Sequence, residues 1–408
     1  MAMQTNAYQR FLFAGGPVFR QSLLLFCCLT STLLEAAVRT PTHADEVLEI
    51  LPSELQTGSS ALNRLRQQWQ ENPQDQATLV ALARLYIDTG RTQADPRYYG
   101  YAEALLQPWW QQDNPPADIQ LLRAIIRQHQ HEYAAAITDL EQLVKREPRQ
   151  AQAWLTLGVI QLVQGNYTAA HKTCAALATH ASTWFATLCY SQLMGLTGQA
   201  ERAYQLQATL LPQLDNQQVE LHQWVLTLLG ETAWRLGKLS EANQHFATAL
   251  QEPRRDNYLL RVYSDFLLSQ HRPADVLRLL QDKSGDDALL LRLAIASRDS
   301  HQESATQHYR QLLEARYAAA QLRGSNLHAR DEALYLLEFG GDQNKALALA
   351  QSNWQIQKEP EDTRLLLRAA LAAKRQDIVA TIQQWLTTQK QQDVRLQSLL
   401  ISLSTGNT

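Results

Sequence analysis

The side chains that could do chemistry in this 408-residue chain are its histidines, cysteines and carboxylates, and their spacing forms none of the usual reactive arrangements. His129 and His131 lie two residues apart, which on a helix points them to different faces and away from a shared metal ion. No His-Glu-x-x-His and no paired Cys-x-x-Cys occurs. Gly15-Gly16 and Gly340-Gly341 lack the residues that surround a phosphate-binding loop, and there is no Gly-x-Ser-x-Gly elbow. The 40 acidic residues are spread as on any solvated helical surface, and spacing singles out no pair. An enzymatic reading therefore has no residues to carry it. No catalytic residue, cofactor or metal is expected.

The remaining chemistry is in four cysteines, Cys27, Cys28, Cys174 and Cys189, and it depends on where the chain resides. Residues 1–44 read as a targeting segment. Arg10 and Arg20 precede an apolar run, Ser22–Leu34, which Glu35 ends. Thr42-His43-Ala44 offers small residues for a cut after Ala44. Phe26 is too large for the position before a lipidated Cys27. The competing reading is an uncleaved anchor over residues 20–38, in an inner membrane. Cleavage implies a periplasmic or secreted protein and leaves only Cys174 and Cys189, an even pair that an oxidising compartment would bridge. Two buried free thiols are the alternative.

Alanine, leucine and glutamine dominate and β-branched residues are few, so an all-α chain is expected. With 37 basic against 40 acidic residues the formal net charge is −3, which excludes a nucleic-acid partner held by a basic field. No apolar run beyond the first 40 residues is long enough to span a bilayer. A membrane is expected as a partner only if the amino-terminal segment is uncleaved.

The elements that must position any site are helix pairs. Within Gln223–Asp256, Leu226, Leu229, Gly230 and Ala233 share one helical face, and Ala242, Phe246 and Ala249 share another. Gly237 breaks the two helices and Pro253 closes the unit. Ala117–Gln150 repeats the pattern with Ala124, His131 at the glycine position, Tyr133, Ala136, Leu140 and Pro148. Ala151 opens the next unit 34 residues later with Leu157, Gly158, Gly165, Tyr167 and Ala170. Weaker units follow near Trp184, Asn257–Gln281, Asp286–Arg316, Leu327–Lys358 and Asp362–Gln389. The first unit, from Gln76, carries about seven extra residues in its turn, RTQADPRYYG, which read either as a binding loop or as tyrosines capping the first repeat. Tyr317–Ser325 reads as a further extension.

This pattern resembles the tetratricopeptide repeat, a 34-residue helix–turn–helix. The resemblance implies an α-solenoid, a right-handed superhelix of about eight helix pairs over residues 76–389. Residues 45–75 form a lead-in and first helix, and 390–408 a closing helix and tail. Stacking hairpins would bury a continuous core, with Trp154, Tyr167, Phe246 and Trp354 in it. The resemblance also places Cys174 and Cys189 on adjacent helices of neighbouring units.

In such arrays the first helices line a concave groove that takes a peptide or a partner subunit. Phase puts Leu121, Ile125, Leu155, Val159, Leu162, Phe185 and Leu188 on that face upstream. Downstream it puts Trp224, Glu231, Trp234, Arg235, Tyr258, Arg261, Asp265, Arg298, Asp331, Tyr335 and Glu338 there. The Lys and Asn set of the family's clamp for chaperone tails is not supplied at these positions. Two readings of the downstream set stay open: a binding face for a protein or peptide, or charges that neutralise one another. The function expected is a non-enzymatic interaction scaffold in an envelope assembly, the alternative being an inner-membrane-anchored assembly factor.

Overall fold

The computed structural model describes residues 60–93, 95–215, 218–252, 256–322 and 329–404. The targeting segment, the cut after Ala44 and the lead-in over 45–58 lie outside the described residues. All described residues belong to the unit Ser59–Thr408. They form 20 α-helices and two short 3-10 turns, with no strand among the described residues.

Helix α1 (Ser60–Glu71) leads into nine hairpins, against an expectation of about eight. They pair α2 (Gln76–Gln93) with α3 (Arg97–Leu106), α4 (Ala117–His129) with α5 (Tyr133–Arg146), and α6 (Ala151–Val163) with α7 (Tyr167–His180). Next come α8 (Thr183–Leu196) with α9 (Ala200–Ala208), α10 (Val219–Arg235) with α11 (Leu239–Ala249), and α12 (Asn257–Ser269) with α13 (Pro273–Leu279). The last three are α14 (Asp287–Asp299) with α15 (Glu303–Leu322), α16 (Ala329–Glu338) with α17 (Gln343–Ile356), and α18 (Pro360–Ala372) with α19 (Gln376–Gln389). Helix α20 (Val394–Ser404) closes the array.

Eight of these hairpins turn in the same way. A left-handed residue follows the first helix: His131, Gly165, Gly198, Gly237, His271, His301, Gly340 or Lys374. The next residue's N–H then donates to the carbonyl five residues back, as Glu132 does to Arg127 (2.8 Å) and Arg375 to Ala370 (2.8 Å). This bond satisfies a carbonyl the ending helix leaves bare and fixes the reversal. Glycine adopts the conformation without strain. Histidine and lysine adopt it at a cost, and for that reason a glycine pattern alone under-reads half of the turns.

Among the described residues, both apparent insertions are largely helical. Helix α2 continues through Gln93 and α3 begins at Arg97, so the tyrosine-rich stretch is no loop. Tyr99 is buried, and a Cβ on Gly90 would fall 2.8 Å from its ring. Tyr98 and Tyr101 pack on Tyr86, and Arg97 pairs with Asp95 at 2.5 Å. At the other site α15 runs on to Leu322, because Tyr317 is buried against Tyr335 (ring centroids 5.8 Å).

Between hairpins the packing is apolar. Phe246 is fully buried and its ring lies so close to Gly230 that a Cβ there would sit 2.6 Å away. Tyr167 is buried, while Trp154 and Trp354 are half-buried at the edges of their clusters. A lone hairpin would leave this surface wet; neighbours cover it.

The array then returns on itself. The link between α17 and α18 lies against the turns of the second and third hairpins. Lys358 N–H donates to Val163 O (2.7 Å), and Gln357 Nε2 donates to the Tyr133 hydroxyl (2.6 Å). The indole of Trp385, on α19, covers Gly165 and meets Tyr167 (6.1 Å). Ala200 N–H donates to Gln392 Oε1 (3.1 Å), and Lys390 lies against Gly198. Arg395, on α20, stacks its guanidinium on Trp234 at 4.0 Å. The α17–α18 link, α19 and the segment leading into α20 thus dock along the row of turns within hairpins two to five.

Candidate functional site

The first helices of the downstream hairpins share an inner face rich in charge. Its centre is Arg292, in the middle of the apolar stretch Asp287-Ala-Leu-Leu-Leu-Arg-Leu-Ala. Its side chain is 2 % exposed. It grips Asp265 with two N–H groups (2.8 and 2.9 Å) and donates to Asp331 (2.7 Å) and to Ala288 O (3.0 Å). Burial alone would raise the Asp331 carboxyl. Arg292, then Arg330 and Arg261, more than reverse this and hold it below the usual range. A buried guanidinium held this way locks three first helices into one register.

Further along, Glu338 receives Arg368 (2.6 Å) and Arg298 (3.0 Å). Burial would raise its pKa, but Arg368 and then Arg298 keep the carboxyl low. Glu361 pairs with Arg364 (3.0 Å) and with Arg395. Arg330 reaches Glu359 and Asp362, both at 3.3 Å. The inner face is therefore a chain of compensated pairs rather than a field of one sign.

One part is less committed. Tyr258 is 37 % exposed and donates its hydroxyl to Glu231 Oε1 (2.8 Å). Arg261 lies over its ring at 5.0 Å and has no ion pair or hydrogen bond among the described residues. Burial pushes the Glu231 carboxyl up, which Arg235 and the Tyr258 hydrogen bond only partly offset. An exposed aromatic, a cation with no ion pair among the described residues and a carboxylate of raised affinity for protons meet here.

The other sequence-selected residues are distributed differently. Trp234 is 3 % exposed and Tyr335 is 6 % exposed. Trp234 packs edge-on to Phe266 and beneath Arg395. Tyr335 packs between Tyr317 and Phe339 and bonds Glu314. Both are core positions: α12 and the returning α20 cover Trp234, and α14 and α15 cover Tyr335. Trp224 packs half-buried against the cluster of Leu188 and Leu229. Arg235 turns to Thr232 (3.1 Å) and the surface of Gly195. Asp265, Asp331 and Arg298 do neutralise, through Arg292 and Glu338 rather than through one another. Upstream, Leu121 and Leu162 are buried in clusters with second-helix residues, and Leu188 is buried in a cluster with Leu210 and with Val225 and Leu229 of α10. Ile125, Leu155, Val159 and Phe185 stay half-buried.

Sequence reasoning missed Arg292, Arg330 and Arg123. Arg123 is buried and pairs with Asp139 (2.5 Å), while its Nη1 donates to the carbonyls of Trp110 and Gln112. The signal was present: an arginine inside an apolar helical run has to find a carboxylate. Cys174 and Cys189 form a disulfide between α7 and α8, with Cα atoms 5.6 Å apart. His129 stacks on Tyr99, and His131 occupies a left-handed turn beside Gln357. Among the described residues no group of three His, Cys, Asp or Glu side chains could hold a metal ion, and no helix is long and apolar enough to cross a membrane.

Residues 121–183 match the family model for the tetratricopeptide repeat. Comparison with curated proteins gives no match. Among solved structures, a Rap protein complexed with Competence and Sporulation Factor is 11 % identical, over 81 % of this chain and 91 % of that one, with a TM-score of 0.45. The APC/C Cut9–Hcn1 hetero-tetramer is 16 % identical over 76 % and 60 %, with a TM-score of 0.42. A tetratricopeptide-repeat protein from Parabacteroides merdae is 16 % identical over 62 % and 91 %, with a TM-score of 0.38. The described residues form an all-α solenoid of helix hairpins, of which residues 121–183 carry the tetratricopeptide-repeat match.

Proposed function

We propose that this tetratricopeptide-repeat array is a non-enzymatic scaffold that holds an extended segment of a partner protein on the inner face of its downstream repeats. The observation that carries the reading is the Tyr258–Arg261 pair. Tyrosine and arginine dominate the energetics of protein interfaces, and here both are presented without a competing intramolecular ion pair on the cation. Glu231 orients the tyrosine. The compensated pairs around Arg292, Arg330 and Glu338 make a rigid, polar wall that would favour a partner able to match both signs.

We further propose that the scaffold works in the cell envelope, after cleavage at Ala44. The Cys174–Cys189 disulfide supports an oxidising compartment. The amino-terminal sequence of the protein recovered from its native envelope tests the compartment: Asp45 as first residue supports export, and an intact Met1 supports the inner-membrane alternative. The binding reading is tested by crosslinking pull-down with Tyr258→Ala and Arg261→Ala. Recovery of the partner should fall at least tenfold with melting temperature unchanged. Undiminished recovery would remove this face from consideration.

A further inference from the structure

The return of the carboxyl-terminal helices creates a cavity that neither half of the array contains alone. It measures about 300 Å³. Its floor is Trp234, already sealed by Arg395. One wall is apolar: Leu239, at the start of α11, and Val394, at the start of α20, are 42 % and 41 % exposed, and Leu399 completes it. Arg364 and Arg368, one helical turn apart on α18, also line it. Arg364 is engaged only through Nε, with Glu361 at 3.0 Å, and Arg368 only through one Nη, with Glu338 at 2.6 Å. Their remaining N–H groups have no partner among the described residues. Among the described residues no carboxylate lines the cavity.

We propose that this seam cavity binds an acidic, apolar-containing segment of a partner protein. Side-chain carboxylates would take the spare donors of Arg364 and Arg368, and an apolar side chain would enter between Leu239 and Val394. The geometry argues for both halves of that ligand. Two half-buried guanidiniums with unused donors favour planar carboxylates, which they can meet with paired hydrogen bonds. Two large aliphatic side chains left exposed on facing elements regain their burial only against an apolar group. A bare anion would satisfy the arginines and leave the apolar wall wet.

The site is composite. Leu239 and Trp234 come from the fifth hairpin, whereas Arg364, Arg368 and Val394 come from the ninth hairpin and the closing helix. They face each other because Arg395 packs on Trp234 and because Trp385, Gln357 and Gln392 hold the returning part on earlier turns. Binding there therefore reports the closed array and favours it. The site is separate from the Tyr258–Arg261 face, and the inference does not rest on that reading.

The test uses the full chain and a fluorescein-labelled, carboxyl-terminally amidated peptide carrying glutamates around one leucine, followed by fluorescence anisotropy. Saturable binding is expected, with at least a tenfold loss for Leu239→Glu and for Arg364→Gln/Arg368→Gln. Trp385→Ala should weaken binding similarly although it touches no residue of the cavity. Tyr258→Ala should change nothing. Leu239→Glu alters an exposed side chain, so its melting temperature should match the parent and its loss of binding cannot be assigned to unfolding. Equal binding of a peptide with lysines for glutamates or serine for leucine would overturn the proposal. So would displacement by inorganic phosphate, or full affinity in Leu239→Glu.

Discussion

Trp385 lies where a side chain on residue 165 would go: a Cβ at Gly165 would stand 2.8 Å from its indole ring. The two residues are far apart in sequence, and their contact marks where the end of the array meets its beginning. Gly340 offers a comparison. It has the same left-handed backbone (φ 72° against 71°) in an equivalent turn, but a Cβ there would meet nothing within 4 Å.

Gly340→Ala should therefore cost only the left-handed strain, about 1–2 kcal/mol. Gly165→Ala should cost that and, in addition, displace Trp385. The difference between the two melting curves measures the seam. Hydrogen exchange at residues 357–359 and 385–396 should accelerate in Gly165→Ala and not in Gly340→Ala.

The left-handed non-glycine turns yield the converse change. His301 is exposed, with φ 57°. His301→Gly removes the strain at a smaller entropic cost and should stabilise the protein by about 0.5–1 kcal/mol in urea unfolding. A loss of stability would mean that the turn is not strained.

Arg292→Leu should be among the most damaging single changes, costing about 3–5 kcal/mol, because it leaves Asp265 and Asp331 facing each other without a cation. Arg292→Leu combined with Asp265→Asn and Asp331→Asn should recover part of that loss. Chemical denaturation of the single and triple variants decides whether the unpaired charges or the lost packing dominates.

The inner-face carboxylates set the response to acid. Burial would raise Glu361, but Arg364, Arg395 and Arg330 hold it far below the ordinary glutamate value of 4.5. A folded pKa below the unfolded one gives stability that is complete above about pH 4.5 and is lost as pH falls through the folded value. Glu361→Gln should lower stability at pH 7 and flatten the acid limb. Glu231 has the opposite sign: its raised pKa makes the folded charge unfavourable at neutral pH. Glu231→Gln should raise the melting temperature at pH 7 and lose that advantage as the pH is lowered through the native carboxyl's titration.

The hairpins were legible because each one writes its own period into a local stretch. Leu226, Leu229, Gly230 and Ala233 announce a buried face without reference to the rest of the chain. Helix bounds at Gln93 and Leu322 were missed because packing of Tyr99 and Tyr317 extended helices through residues whose own preferences are mild. The seam was not legible at all. Gln357, Trp385 and Gln392 meet turn residues of hairpins two to four, and that pairing follows from accumulated rotation between repeats, which no local pattern encodes. The site divided along the same line. Tyr258 and Arg261 were found from repeat phase. Trp234 was assigned to an open groove because its cover, Arg395, lies beyond the periodic region. Arg292 could have been found from its place in an apolar run.

The seam stands on the docking of the α17–α18 link, α19 and the segment leading into α20 on the turns of hairpins two to five. It is tested most directly by a spin–spin distance between labels at Arg202 and Thr388, both exposed, with Cys27 and Cys28 replaced by serine and the Cys174–Cys189 bridge intact. One narrow population at short distance is predicted, because Ala200 and Gln392 are hydrogen-bonded beside the two labels. A broad distribution centred at long distance would contradict the closed array and remove the seam cavity with it.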